Sequence, residues 1–196
     1  MDITPEQNEI GKDNFNEAVG LEGAAVQQKT VWFAAHGAGL RAMTASPPWQ
    51  AVKVGPVGLD DAWDAVAQGQ KRLLVADGAH GLKLVDISQP DAPVVTSKLE
   101  LPGLSTHVAL GNARVAVASA GVGIHLIELL DVTSPKLLQT IALPSAPYGL
   151  AWLKNTLVVA GGHHVFAVEA PWDGPAEVMA ASPSKHFAMD QVAFYD

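Results

Sequence analysis

Between residues 63 and 104 short apolar runs alternate with turns. Val66-Ala67-Gln68 is closed by Gly69-Gln70, Arg72-Leu73-Leu74-Val75-Ala76 is rich in β-formers, and Asp77-Gly78-Ala79-His80-Gly81 supplies a hairpin turn. Leu82-Lys83-Leu84-Val85-Asp86-Ile87 then alternates apolar with polar positions, the period of a half-buried strand. Pro90 and Pro93 keep the loop from Ser88 to Pro93 out of any ladder, because proline cannot donate to one. Val94 to Leu101 forms a fourth run, closed by Pro102-Gly103. Four short strands joined by turns describe one antiparallel blade.

The pattern recurs every 42 residues, giving units at 21–62, 63–104, 105–146 and 147–188. One alanine ladder runs Ala25, Ala67, Ala109, Ala151 and Ala193, and a second runs Ala34, Ala76, Ala118 and Ala160. A fixed period of this length marks a repeat architecture, in which each unit buries its apolar face against its neighbours. Small residues at fixed columns let converging inner strands approach. Gly39, Gly81 and Gly123 share a hairpin column where a tight turn asks for positive φ. The expected fold is therefore all-β, a β-propeller of four-stranded antiparallel blades. Strict spacing leaves a fifth inner strand, residues 189–196. The expected arrangement is a closed four-bladed propeller in which this C-terminal strand closes the first blade and displaces the weakly strand-like residues 21–27. An open array that closes only with another chain is the alternative.

The pattern "GLKLVDISQPDAP" after "LLVADGAH" resembles the LVIVD repeat, a bacterial and archaeal β-propeller repeat, across residues 21–196. The likeness is strongest in residues 72–103. Thr44 stands in the first unit where the repeat has an acid, and the fourth unit has "VEAPWDGP". The resemblance implies a propeller and assigns no catalytic residue.

Residues 1–20 form a separate segment. Thr4 as N-cap, Pro5 at the first helical position and Gln7 three residues after the cap predict a short helix, with Ile10 and Phe15 on its apolar stripe. The segment holds five acids and one lysine, half of the chain's net charge of −8. That charge and 12 scattered basic residues argue against nucleic acid or an anionic membrane as partner. With no cysteine there is no disulfide framework, thiolate metal site or cysteine nucleophile. No stretch approaches the length of a membrane span and no signal peptide is visible, so the default location is cytoplasmic, or extracytoplasmic where a leader is missing.

In a propeller the hairpins between second and third strands share one end with the blade-to-blade connections. His36, His80, His163 and His164 fall on those hairpins, and Asp60, Asp61, Asp64, His107, Tyr148, His186 and Asp190 on the connections and inner-strand starts. Imidazole and carboxylate together are what a divalent metal needs. The candidate ligands are His80, His107, His163, His164, His186, Asp61, Asp64 and Asp190, although their spacing matches no metal signature. The opposing expectation is that these are solvated turn residues. No nucleophile elbow, phosphate-binding glycine loop or HExxH occurs. The opposite end carries Trp49 and Trp172 in proline loops, where an exposed tryptophan is an interface anchor.

These features predict a non-catalytic interaction scaffold, an accessory subunit of a larger bacterial assembly, with no cofactor. Its protein partner would bind through Ile10 and Phe15 of the N-terminal segment or through Trp49 and Trp172, the chain being a monomer or part of a complex. The alternative is a metal-dependent, lactonase-like hydrolase at the mouth of the central channel.

Overall fold

The computed structural model describes residues 20–112, 114–171 and 173–183. Among these residues sixteen strands form four antiparallel sheets, each with its strands in sequential order. The first blade is β1 (Ala24–Gln27), β2 (Thr30–Ala34), β3 (Leu40–Thr44) and β4 (Ala51–Val52). The second is β5 (Asp64–Gln68), β6 (Arg72–Ala76), β7 (Leu82–Asp86) and β8 (Val94–Leu99). The third is β9 (Leu104–Leu110), β10 (Arg114–Ala120), β11 (Gly123–Glu128) and β12 (Lys136–Ile141). The fourth is β13 (Pro147–Leu153), β14 (Thr156–Gly161), β15 (His164–Glu169) and β16 (Glu177–Pro183). No helix occurs among the described residues, and none is long and apolar enough to cross a membrane.

The chain is a β-propeller of four blades. The middle strands of the second and third blades are buried on both faces because each is sandwiched between neighbours, which is why they read as near-continuous apolar runs. Those of the first and fourth blades alternate buried with partly exposed positions. Three cores fill the successive junctions. Trp32, Ala34, Leu40 and Ala42 of the first blade meet Leu73, Val75, Val85 and Ile87 of the second. Leu74, Ala76, Leu82 and Leu84 meet Val115, Val117, Ile127 and Leu129. Ala116, Ala118, Ile124 and Leu126 meet Leu157, Val159, Phe166 and Val168. Burying each valine, leucine, isoleucine or phenylalanine among them is worth about 1.5–3 kcal/mol.

The second alanine ladder holds: Ala34, Ala76, Ala118 and Ala160 are all fully buried. The first ladder slips at one rung. Ala25, Ala109 and Ala151 pair with Trp32, Ala116 and Val158, seven residues on, whereas Ala67 pairs with Leu73, six residues on. A one-residue slip turns a side chain to the other face. Ala67 accordingly packs into the core between the first and second blades.

β1 itself holds the inner position of the first blade by pairing with β2, against the expectation that residues 189–196 would displace it. The four backbone pairs it forms outweigh its modest strand propensity. Residues 189–196 lie outside the described residues, as do residues 1–19 of the segment 1–20 in which a helix is expected.

Candidate functional site

The hairpins and connections do share one end. His36 in the first hairpin bridges Ala62 in the connection to the second blade, and Gly78 in the second hairpin bridges Ser105 at the entry to the third. Gly39, Gly81 and Gly123 have the expected positive φ, at 69°, 76° and 130°.

At this end the inner strands open on a cavity of about 670 Å³ at the channel mouth. Each blade contributes: Glu22 and Gly23, Trp63 and Asp64, Thr106 and His107, and Tyr148. The approach is close, since a methyl group at Gly23 would overlap the Asp64 carboxylate. Asp64 is held by the backbone: Oδ1 accepts from Ala65 N–H at 2.8 Å and Oδ2 from Val108 N–H at 3.0 Å. The second bond clips β5 to β9. Burial pushes the Asp64 carboxyl up to about 6, against the pull of these two amides. Burial lowers the His107 imidazole, opposed by the charge of Glu22, and its Nδ1 lies 3.1 Å from the Thr106 hydroxyl.

A second polar cluster lies on the connection between the first two blades. Asp77, with no solvent exposure, accepts from the backbone N–H groups of Asp60 (3.0 Å) and Asp61 (2.8 Å). The buried Lys83 ammonium sits 2.6 Å from Asp77 and 2.8 Å from Asp60, and donates to the Gly58 carbonyl at 3.1 Å. Burial works against this ammonium, but the hydrogen bonds and charges of Asp60 and Asp77 outweigh it and raise its pKa. Asp60 is held below the ordinary carboxylate value, first by its hydrogen bond to Lys83.

His80 approaches Asp60 at 3.6 Å, and Asp60, Asp77 and His80 together offer ligand atoms within 4.8 Å of one another. The Lys83 ammonium already bonds both carboxylates, supplying the positive charge that a metal would bring. The arrangement therefore works as a clamp from the second blade to the connection that enters it.

Asp61 stands apart from that clamp's carboxylates. It accepts from Trp63 Nε1–H at 2.8 Å and lies 3.0 Å from His36 Nδ1, with His36 edge-on to the Trp63 ring at 4.6 Å. His125 in β11 is a further tether. Its Nε2–H donates to the Pro102 carbonyl at 2.9 Å, which leaves Nδ1 to accept from the Thr140 hydroxyl at 2.9 Å. Burial lowers its pKa, partly offset by the bond to Pro102, in keeping with a neutral imidazole.

Of the six candidate ligands among the described residues, Asp64 and His107 line the same cavity. His80 belongs to the Lys83 clamp and Asp61 to the His36–Trp63 contact. His163 and His164 sit on the fourth blade's hairpin, His164 stacked on Phe166 at 5.7 Å with a buried Nδ1 that lacks a partner among the described residues. His186 and Asp190 lie outside the described residues, as do Ile10, Phe15 and Trp172. Trp49 is 55% exposed in the loop between β3 and β4, at the end opposite the hairpins. Exposed apolar side chains also stud the outer strands, with Leu137 and Leu138 on β12 and Val178 and Met179 on β16.

Sequence reasoning passed over Asp77 and Lys83. Asp77 looks like an ordinary turn residue. Lys83, as the polar member of an alternating strand, would be assigned to solvent. The available signal was a lone cation between Leu82 and Leu84 in the middle of a propeller repeat, where both strand faces are covered.

No protein-family model matches the chain, and no curated protein does. Solved structures do. The computationally designed Ika4 protein superposes with a TM-score of 0.58 at 13% identity, covering 82% of this chain and 91% of its own. The computationally designed Ika8 protein gives 0.61 at 11% identity, covering 90% of this chain and 66% of its own. AztD of Citrobacter koseri gives 0.56 at 14% identity over 85% of this chain, which spans only 47% of AztD. At such identities the likeness establishes the β-propeller fold and nothing about activity.

Proposed function

We propose that the chain is a non-catalytic interaction scaffold, an LVIVD-type propeller that presents apolar side chains to a protein partner. One observation carries this reading: Asp64, Asp77, Lys83 and His125 at the hairpin end are engaged in holding strands and connections together. Asp64 clips β5 to β9, Asp77 and Lys83 clamp the first connection, and His125 tethers the second. Meanwhile Trp49, Leu138 and Met179 stand in solvent on loops and outer strands. Tryptophan in such a position contributes disproportionately to binding when covered.

The test is co-purification with the tagged chain from its native cells. A partner retained by the unaltered chain should be lost with Trp49→Ala and Leu138→Asp, while thermal stability changes little. The competing hydrolase reading draws on Asp64 and His107 sharing the cavity. Stoichiometric bound metal that disappears in Asp64→Asn or His107→Ala, together with hydrolysis of lactones or esters, would replace the scaffold reading.

A further inference from the structure

Equivalent positions in the four blades do not share one environment. On the face each blade turns toward its successor, Trp32, Leu74 and Ala116 are buried in the three cores. Their equivalent in the fourth blade, Val158, remains partly exposed, as do Val165 and Ala167 beside it. On the face turned toward the predecessor, Leu73, Val115 and Leu157 are fully buried, but their first-blade equivalent Val31 is not.

The inner strands repeat the point. Val26, Ala67, Leu110 and Trp152 pair respectively with Val31, Leu73, Val115 and Leu157. Ala67, Leu110 and Trp152 pack into the core against the preceding blade. Val26 is 65% exposed. β1 packs on β5, β5 on β9 and β9 on β13, yet among the described residues no comparable contact joins β13 to β1.

The geometry points to a second copy of this chain as what completes the ring. We propose that the fourth blade of each copy packs its outer face on the first blade of the other, at two identical junctions related by a two-fold axis along the channel. The repeat supplies the complementarity, because each junction would bring together the same two faces that already mate three times within the chain. The pairing makes an eight-bladed ring, within the roughly four to eight blades that propellers use. The cavity lined by Glu22, Asp64, His107 and Tyr148 would be half of a site completed by the second copy. This inference stands independently of the scaffold reading.

The test is solution mass combined with cross-linking of the full chain, which has no native cysteine. Native mass spectrometry should find twice the 20.5 kDa chain mass. Val31→Cys and Val158→Cys should be made in separate chains and mixed, then treated with a short bis-maleimide. The mixture should give a chain-to-chain product that neither variant gives alone. Val158→Asp should weaken association at least about tenfold, whereas the near-isosteric Val158→Thr should weaken it less and report that folding is intact. A monomer would overturn the proposal, as would a cross-link within single chains carrying both cysteines. Assemblies larger than two copies would overturn it as well.

Discussion

Lys83 in the second blade and His125 in the third occupy the same place in their strands, and each reaches back to a carbonyl of the connection that enters its blade. Lys83 donates to Gly58, and His125 to Pro102. The mechanical task is the same and the chemistry differs. The ammonium is buried and needs two carboxylates, one of them the fully buried Asp77. The imidazole does the work as a neutral group with two hydrogen bonds, to Pro102 and Thr140. Arg41 holds the place in the first blade and donates to Ala38 and Leu40 of its own hairpin; Phe166 holds it in the fourth and is purely apolar. One column thus tolerates charge, dipole or hydrocarbon, provided that each brings its own satisfaction. The charged solution is the most fragile, because either partner alone is a buried ion.

The sharpest way to break the comparison is Lys83→Met. It keeps most of the side-chain volume but strands Asp77 with only two backbone amides. Removing one partner of a buried pair costs about 3–5 kcal/mol, and urea unfolding should show a loss of that order. Adding Asp77→Asn should recover part of it, since the uncompensated charge is then gone. No recovery in the double variant would mean that Lys83 acts mainly through Gly58, and that the clamp resembles the histidine tether after all.

His125→Phe places the fourth blade's solution in the third. The ring volume is kept, while the Pro102 carbonyl and the Thr140 hydroxyl lose their partner, at a cost of about 1–3 kcal/mol. The substitution should also change the pH response. The folded pKa of His125 is depressed by burial, so its contribution is present above the unfolded value of about 6.5 and is lost as pH falls below it. Between pH 7.5 and 5.5 the melting temperature of the variant should therefore fall less than that of the unaltered chain. Equal falls would remove His125 from the acid response.

The fold was legible because a propeller writes its period into the chain. The Ala34 ladder, the three hairpin glycines and the proline loops fixed blade number and strand order. The Ala67 slip was not legible, because a translation of 42 residues cannot reveal a register set by the Gly69-Gln70-Lys71 turn and its pairing. His36, His80, Asp60, Asp61, Asp64 and His107 lie at the hairpin end, where the repeat placed them. Their partners were not legible, since Asp60, Asp77 and Lys83 meet only when a connection folds over the next blade. A histidine in a turn and a histidine in a tether look alike until that contact exists. His125 is such a case, set just past a hairpin and hidden by both strand faces.

Asp64 sharpens the contrast from a third side, since it is a carboxylate clip with amide partners and no cation. Its pKa is raised from 3.8 to about 6, so the folded state holds its proton more tightly than the unfolded chain does. The associated stability is present below the unfolded value and is lost as pH rises from about 4 through 6. Asp64→Asn removes this titration but also exchanges one acceptor oxygen for an amide that faces a backbone N–H. At neutral pH the two effects oppose: relief of the raised pKa is worth about 1.4 kcal/mol per unit, and the lost hydrogen bond to a charged oxygen costs about 1.5–3 kcal/mol. The diagnostic is the slope: from pH 4 to 7 the variant should gain stability relative to the unaltered chain. A difference that stays flat, or one that runs the other way, would mean that the amides of Ala65 and Val108 outweigh burial. Asp64 would then behave like Asp60, a carboxylate held low by its partners, and the cavity would lie over a permanently charged clip.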